Sequence, residues 1–78
     1  MQQMSNLESA IRDLVKANEM FWSCKNVPVE RREQHDWENL RSWARMLVST
    51  QEYLGIEVVD GEVVKANIEE AEKALAKG

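Results

Sequence analysis

The chain has 78 residues, a hydrophobic content of 44% and a net charge of −4 at pH 7. This length allows one domain, residues 1–78, of a size at which one core is marginally stable and small folds add disulfides, a metal or a second subunit. Three Lys/Arg stand against six Asp/Glu in residues 55–78, which argues against nucleic-acid binding because that depends on clustered cations.

The cysteine content and the hydropathy bear on the compartment. Cys24 is the only cysteine and has no partner for an internal disulfide. No signal peptide precedes it, and no apolar run approaches the length that crosses a bilayer. These features predict a cytoplasmic protein without membrane association.

The first predicted element is a helix over residues 5–24, opened by a capping box between Ser5 and Glu8. An apolar seam with the spacing of packed helices follows, and Asn18 occupies one of its positions. A buried Asn opposite its symmetry mate would specify the register of a dimer; the alternative is an Asn at the edge that reaches water. The residues of this seam and its borders are Leu7, Ile11, Leu14, Val15, Phe21 and Trp22. We assign Leu14, Asn18, Phe21 and Trp22 to the core or a dimer contact.

The second predicted element is the longest, a helix over residues 28–54. Pro28 suits its first turn, with Asn26 or Val27 at the cap, and Gly55 suits its end. Its apolar sector is roughly 140° wide on a helical wheel, more than one neighbouring helix covers. The short turn before it predicts an antiparallel helical hairpin. The rest of the sector has to be covered by the C-terminal segment or by another chain, and we expect a homodimer packed as a helical bundle. Its core or dimer residues are Trp37, Leu40 and Leu47.

One flank of the second helix carries the residue types that are enriched at protein interfaces. We expect this flank to bind a protein partner. The alternative is a solvated face on which amphipathic side chains lie flat. The predicted partner-binding residues are Arg32, His35, Asn39, Trp43, Met46, Thr50 and Tyr53.

The C-terminal third is predicted to hold two short elements. Asp60-Gly61 lies between β-branched residues and indicates a β-hairpin over residues 56–64, or a loop if nothing packs on it. Asn67 is the expected cap of a last helix over residues 67–77. The predicted fold class is therefore mainly α.

No residue pattern indicates a catalytic, cofactor-binding or metal site, so the sequence predicts a protein that is not an enzyme. Cys24 and His35 lack a third group to orient them, and the carboxylates near His35 scatter around the helix. Two competing hypotheses are a reactive or ligand-binding site at Cys24 and His35, and a nucleic-acid surface formed by Arg31, Arg32, Arg41 and Arg45.

Two stretches resemble a known family. Phe21, Asn26, Pro28 and Val29, followed by Leu40-Arg41-Ser42-Trp43 with Arg45, resemble fragments of the theta subunit of bacterial replicative DNA polymerase. Theta is a small helical accessory protein that binds the proofreading exonuclease subunit. The resemblance implies an accessory subunit of a larger enzyme complex. It covers a minority of the chain, and no residue role is carried over from it.

The predicted function is a non-enzymatic protein–protein interaction module. Small acidic chains without catalytic motifs are common among bacterial and phage accessory proteins that bind and modulate a protein partner, which is an argument by analogy. The alternatives are a theta-like accessory subunit and a nucleic-acid-binding regulator.

Overall fold

The computed structural model contains three α-helices and describes the backbone of residues 2–77 and the side chains of residues 6–77. No strand occurs in this part of the chain. The predicted mainly helical fold is confirmed, whereas the β-hairpin predicted over 56–64 is wrong. The elements are α1 (Gln2–Lys25), a short 3-10 helix (Val29–Arg31), α2 (Gln34–Leu54) and α3 (Gly61–Lys77).

Helix α2 lies at the centre of the fold, and α1 and α3 both pack against it. An ion pair between Arg45 and Glu72 also joins α2 to α3. Among the described residues, no Cα atom of α1 comes within 8 Å of a Cα atom of α3. Side chains of all three helices nevertheless meet in one core, and the molecule measures 45 × 21 × 20 Å.

The core collects apolar side chains from all three helices and from the α2–α3 connection. Phe21, Leu40, Leu47 and Val64 are its largest side chains that are fully buried. Among the described residues, the core cluster consists of Leu14, Ala17, Phe21, Leu40, Ala44, Leu47, Val59, Val64 and Ala71. The C-terminal segment is one of the two candidates to cover the apolar sector of α2, and α3, which is longer than predicted, packs on α2.

Both ends of α1 differ slightly from the prediction. The backbone is already helical at Gln2, so Ser5 lies within the helix and not at its cap. The side chain of Ser5, which would form the capping box, is outside the described residues. At the other end the helix runs to Lys25.

The helix predicted over residues 28–54 is interrupted near its start. The chain forms one 3-10 turn after Pro28, is extended at Arg32 with ψ 130°, and becomes α-helical at Gln34. Glu33 is the N-cap, and its backbone N–H donates to Asp36 Oδ2 at 2.9 Å in a capping box. The caps predicted at Asn26 and Val27 are wrong. Glu is not among the residues preferred at N-caps. The residue preferences for N-caps therefore indicated the wrong start for this helix.

The side chain of Arg32 accounts for this interruption. Its Nε donates to the Val27 carbonyl oxygen at 2.9 Å, and its Nη2 donates to the Lys25 carbonyl oxygen at 2.9 Å. The guanidinium also lies 4.7 Å from the centroid of the Trp37 ring, a cation–π distance. Arg32 thus places a positive charge on unpaired carbonyls at the negative end of α1 and joins α1 to α2.

The connection between α2 and α3 is organised by Gln51. Gly55 ends α2 in the left-handed conformation with φ 70°, as its position predicted. The buried Gln51 side chain then accepts hydrogen bonds through Oε1 from the backbone N–H groups of Val58 and Val59, both at 2.8 Å. These bonds hold the connection against α2 and direct the Val59 side chain into the core.

Asp60-Gly61 opens α3 and does not form a hairpin turn. Asp60 Oδ1 accepts a hydrogen bond from the backbone N–H of Glu62 at 2.8 Å. Asn67, predicted to cap the last helix, is buried within α3, and its Nδ2 donates to the Val63 carbonyl oxygen at 2.8 Å. Aspartate favours both turns and N-caps. The helix is the outcome because it buries apolar residues on α2, which an isolated short hairpin could not do.

Candidate protein-binding surfaces

Three of the seven residues predicted to bind a partner are engaged within the fold. Arg32 lies before α2 and bonds to the end of α1. Thr50 is buried, and its hydroxyl donates to the Met46 carbonyl oxygen at 2.8 Å. Trp43 is half-buried and packs against the core.

The other four residues are exposed on one flank of α2 and form what we call the α2 surface. Two of them are large and apolar in part: 38% of Met46 and 65% of Tyr53 is exposed. The α2 surface consists of His35, Asn39, Met46 and Tyr53. At its N-terminal end, His35 Nε2 lies 3.3 Å from Asp36 Oδ1.

The residues assigned to the core or a dimer contact also separate into two groups. Leu14, Phe21, Leu40 and Leu47 are buried in the core, and Trp37 is half-buried under Arg32. Trp22 is exposed, and its Nε1 donates to Oδ1 of the half-buried Asn18 at 3.0 Å. The hydrogen bond of Asn18 is therefore made within its own helix.

A second exposed apolar surface lies on α1. Its residues belong to the apolar seam predicted for this helix or to the borders of that seam. Its four side chains are each between 42% and 54% exposed. We call this set the α1 stripe, and it consists of Leu7, Ile11, Val15 and Trp22. The four-residue steps from 7 to 11 to 15 indicate one helix face, but the sequence does not show which of the two apolar faces of α1 is buried.

Cys24 and His35 do not form a pair with each other. The ion pairs of His35 are with Glu33 and Asp36, and none of the described hydrogen bonds joins it to Cys24. Burial is the main factor that raises the pKa of the Cys24 thiol; the nearby Asp36 carboxylate raises it further, and Arg32 partly opposes both. A raised pKa favours the thiol over the reactive thiolate, the reverse of what an activated nucleophile needs.

This raised pKa predicts how the reactivity of Cys24 depends on pH. The rate of alkylation by iodoacetamide should reach half its maximum at a higher pH in the folded chain than in the same chain unfolded in urea. In terms of stability, the protonated thiol favours the folded state fully below the unfolded pKa. That contribution is lost as the pH rises through the folded pKa. A folded chain whose alkylation profile lies at the same or lower pH would contradict the environment described for Cys24.

The described residues offer little for a metal or a small ligand. No group of three or more His, Cys, Asp or Glu side chains among them is placed to hold a metal ion. A depression of about 180 Å³ lies between α2 and α3, below the range of about 300–1,000 Å³ that is usual for ligand pockets. It is lined by Val48, Gln51, Glu52, Ile56, Glu57, Gly61 and Lys65. Among the described residues, no helix combines the length and the hydropathy needed to cross a membrane.

Comparisons with protein-family models, with curated proteins and with solved structures found no match to this chain. The resemblance of two stretches to the theta subunit is therefore not accompanied by a family-level similarity. Function has to be argued from the surfaces themselves.

Proposed function

We propose that this chain is a non-enzymatic protein–protein interaction module that binds and modulates a protein partner through the α2 surface. The observation that carries the proposal is the exposure of Met46 and Tyr53 on a helix whose opposite face is fully packed. Neither side chain belongs to the core cluster. Tyr and Met are enriched at protein interfaces, and a rigid helix loses little entropy on binding.

The surrounding residues support a protein partner over other ligands. Asn39 and His35 add hydrogen-bonding groups beside the apolar side chains, which is the mixed character of a non-obligate interface. Two of the four arginines in the nucleic-acid hypothesis, Arg32 and Arg45, already bond within the fold. The proposal includes an accessory or regulatory role of the kind that small bacterial and phage proteins have. It also includes assembly of the chain into a homodimer.

Partner capture from an extract of the native cell tests the proposal. The double variant Met46→Ser with Tyr53→Ala should lose at least about nine-tenths of the captured protein, since two central residues of an interface each contribute about 1–2 kcal/mol. The matched control is Gln34→Ala with Glu52→Ala, two exposed residues that lie about 100° around α2 from this surface. Helical circular dichroism should be unchanged in both. Equal capture by the wild-type chain and the Met46/Tyr53 variant would refute the α2 surface.

A further inference from the structure

The α1 stripe is apolar, and each of its four side chains is about half-exposed. The buried face of α1 is formed by Ala10, Leu14, Ala17 and Phe21, and the α1 stripe lies beside that face on the same helix. Apolar residues thus occupy two adjoining faces of α1, while α2 covers only one of them. Because α3 does not approach α1, the second face stays in contact with water. Contiguous exposed apolar surfaces of this kind mark interaction sites.

We propose that the α1 stripe is the contact between two copies of this chain, packed antiparallel about a twofold axis near Val15. This inference rests on the proposed function, of which homodimer assembly is one part, and adds the surface and the orientation. Leu7 and Trp22 lie at opposite ends of the α1 stripe. The twofold axis therefore brings Leu7 of one copy beside Trp22 of the other. The Trp22 ring of each copy then covers the Leu7 end of the other copy's α1 stripe.

Charges beside the α1 stripe favour the antiparallel orientation. Arg12 and Glu19 are both exposed, lie on the same side of the stripe and are seven residues apart. A twofold axis between them brings each Arg12 near Glu19 of the second copy, and so creates two ion pairs at the rim. In a parallel dimer, the flank of one copy that carries Arg12 and Glu19 faces the opposite flank of the second copy. Arg12 and Glu19 of different copies then do not meet. Charge complementarity at the rim thus selects orientation.

Sedimentation over a concentration series tests the contact. The wild-type chain should change from monomer to dimer below about 1 mM. Val15→Lys and Ile11→Lys should each weaken dimerisation at least about 100-fold, because each buries an unpaired charge. Ser9→Lys adds the same charge at an exposed position of α1 outside the stripe and should leave dimerisation unchanged. A wild-type monomer throughout, or stripe variants that dimerise as well as the wild type, would overturn the inference.

Cross-linking tests the orientation. In a Cys24→Ser background, Val15→Cys should form a disulfide-linked dimer on oxidation, because the two positions meet at the axis. Leu7→Cys should not, because the antiparallel register separates its two copies by about 24 Å, far beyond the Cα separation of a disulfide. Cross-linking of Leu7→Cys, with or without cross-linking of Val15→Cys, would overturn the antiparallel arrangement.

A charge exchange tests the rim. Arg12→Glu and Glu19→Arg should each weaken dimerisation about fivefold, and the double variant should restore it, since two exposed pairs contribute together about 1 kcal/mol. Additive losses in the double variant would count against these pairs. Partner capture measured on the same proteins separates the two proposals. A monomeric wild-type chain that still captures its partner overturns this inference alone, and a dimer whose α2 surface captures nothing overturns the proposed function alone.

Discussion

Replacing Phe21 by alanine is expected to lower the free energy of unfolding by about 3–5 kcal/mol. Phe21 is fully buried where α1 packs on α2, and its ring makes an edge-to-face contact with Trp22 at a centroid distance of 5.4 Å. A domain of this size has only about 5–10 kcal/mol of stability. The midpoint of thermal unfolding should therefore fall by about 15–30 °C, measured by circular dichroism at 222 nm.

Tyr53→Ala is the matched control for this substitution, since it also removes an aromatic ring but from a side chain that is 65% exposed. Its expected cost is about 0.5 kcal/mol, the usual effect of a surface change. Similar losses for the Phe21 and Tyr53 variants would contradict the placement of Phe21 in the core.

The second large effect is expected at Gln51, where Gln51→Met should cost about 2–4 kcal/mol. The methionine side chain keeps the length and apolar stem but has no acceptor for the backbone N–H groups of Val58 and Val59. Val59 is buried, so its N–H would lose its partner without gaining water, and each such loss costs about 1–3 kcal/mol. Urea unfolding measures the stability, and hydrogen exchange at the two amides should accelerate.

Gln51→Glu serves as the control, because its carboxylate retains an oxygen that can accept both hydrogen bonds. A buried carboxylate also costs stability, so hydrogen exchange and not stability distinguishes the two variants. The amides of Val58 and Val59 should exchange more slowly in Gln51→Glu than in Gln51→Met. Equally fast exchange in the two variants would show that the two hydrogen bonds do not hold the α2–α3 connection.

These two sites explain how the chain packs its own helices on α2. Phe21 brings α1 onto one side of α2, and Gln51 turns the chain so that α3 packs on another. Apolar surface remains on α1, where Leu7, Ile11, Val15 and Trp22 are each about half-exposed. The homodimer that we propose therefore uses α1, whereas the wide apolar sector that suggested a dimer lies on α2.

The predicted partner-binding residues illustrate the limit of a helical wheel. The wheel places Thr50 and Tyr53 on one flank, yet Thr50 is buried and Tyr53 is exposed. The boundary between them depends on where α1 lies against α2, and this is a tertiary contact. Arg32 was assigned to the same flank on the premise of an unbroken helix, and the interruption at that residue removes it from the wheel.

The sequence by itself determined the features that depend on neighbouring residues in the chain. These are the helical content, the left-handed stop at Gly55, and the burial of Leu14, Phe21, Leu40 and Leu47 on periodic apolar faces. They are readable because periodicity and glycine conformation act over a few residues.

Only the tertiary structure decided the start of α2, the role of Asp60-Gly61 and the face of α1 that stays exposed. In each case the local alternatives are close in free energy, since aspartate serves a turn or a cap and residues 28–33 suit either helix or loop. Contacts between distant residues make the choice: Arg32 bonds to the end of α1, and the packing of Val64 and Ala71 in the core favours helix in α3. The α1 stripe stays open because α1 and α3 each pack on α2 and not on each other.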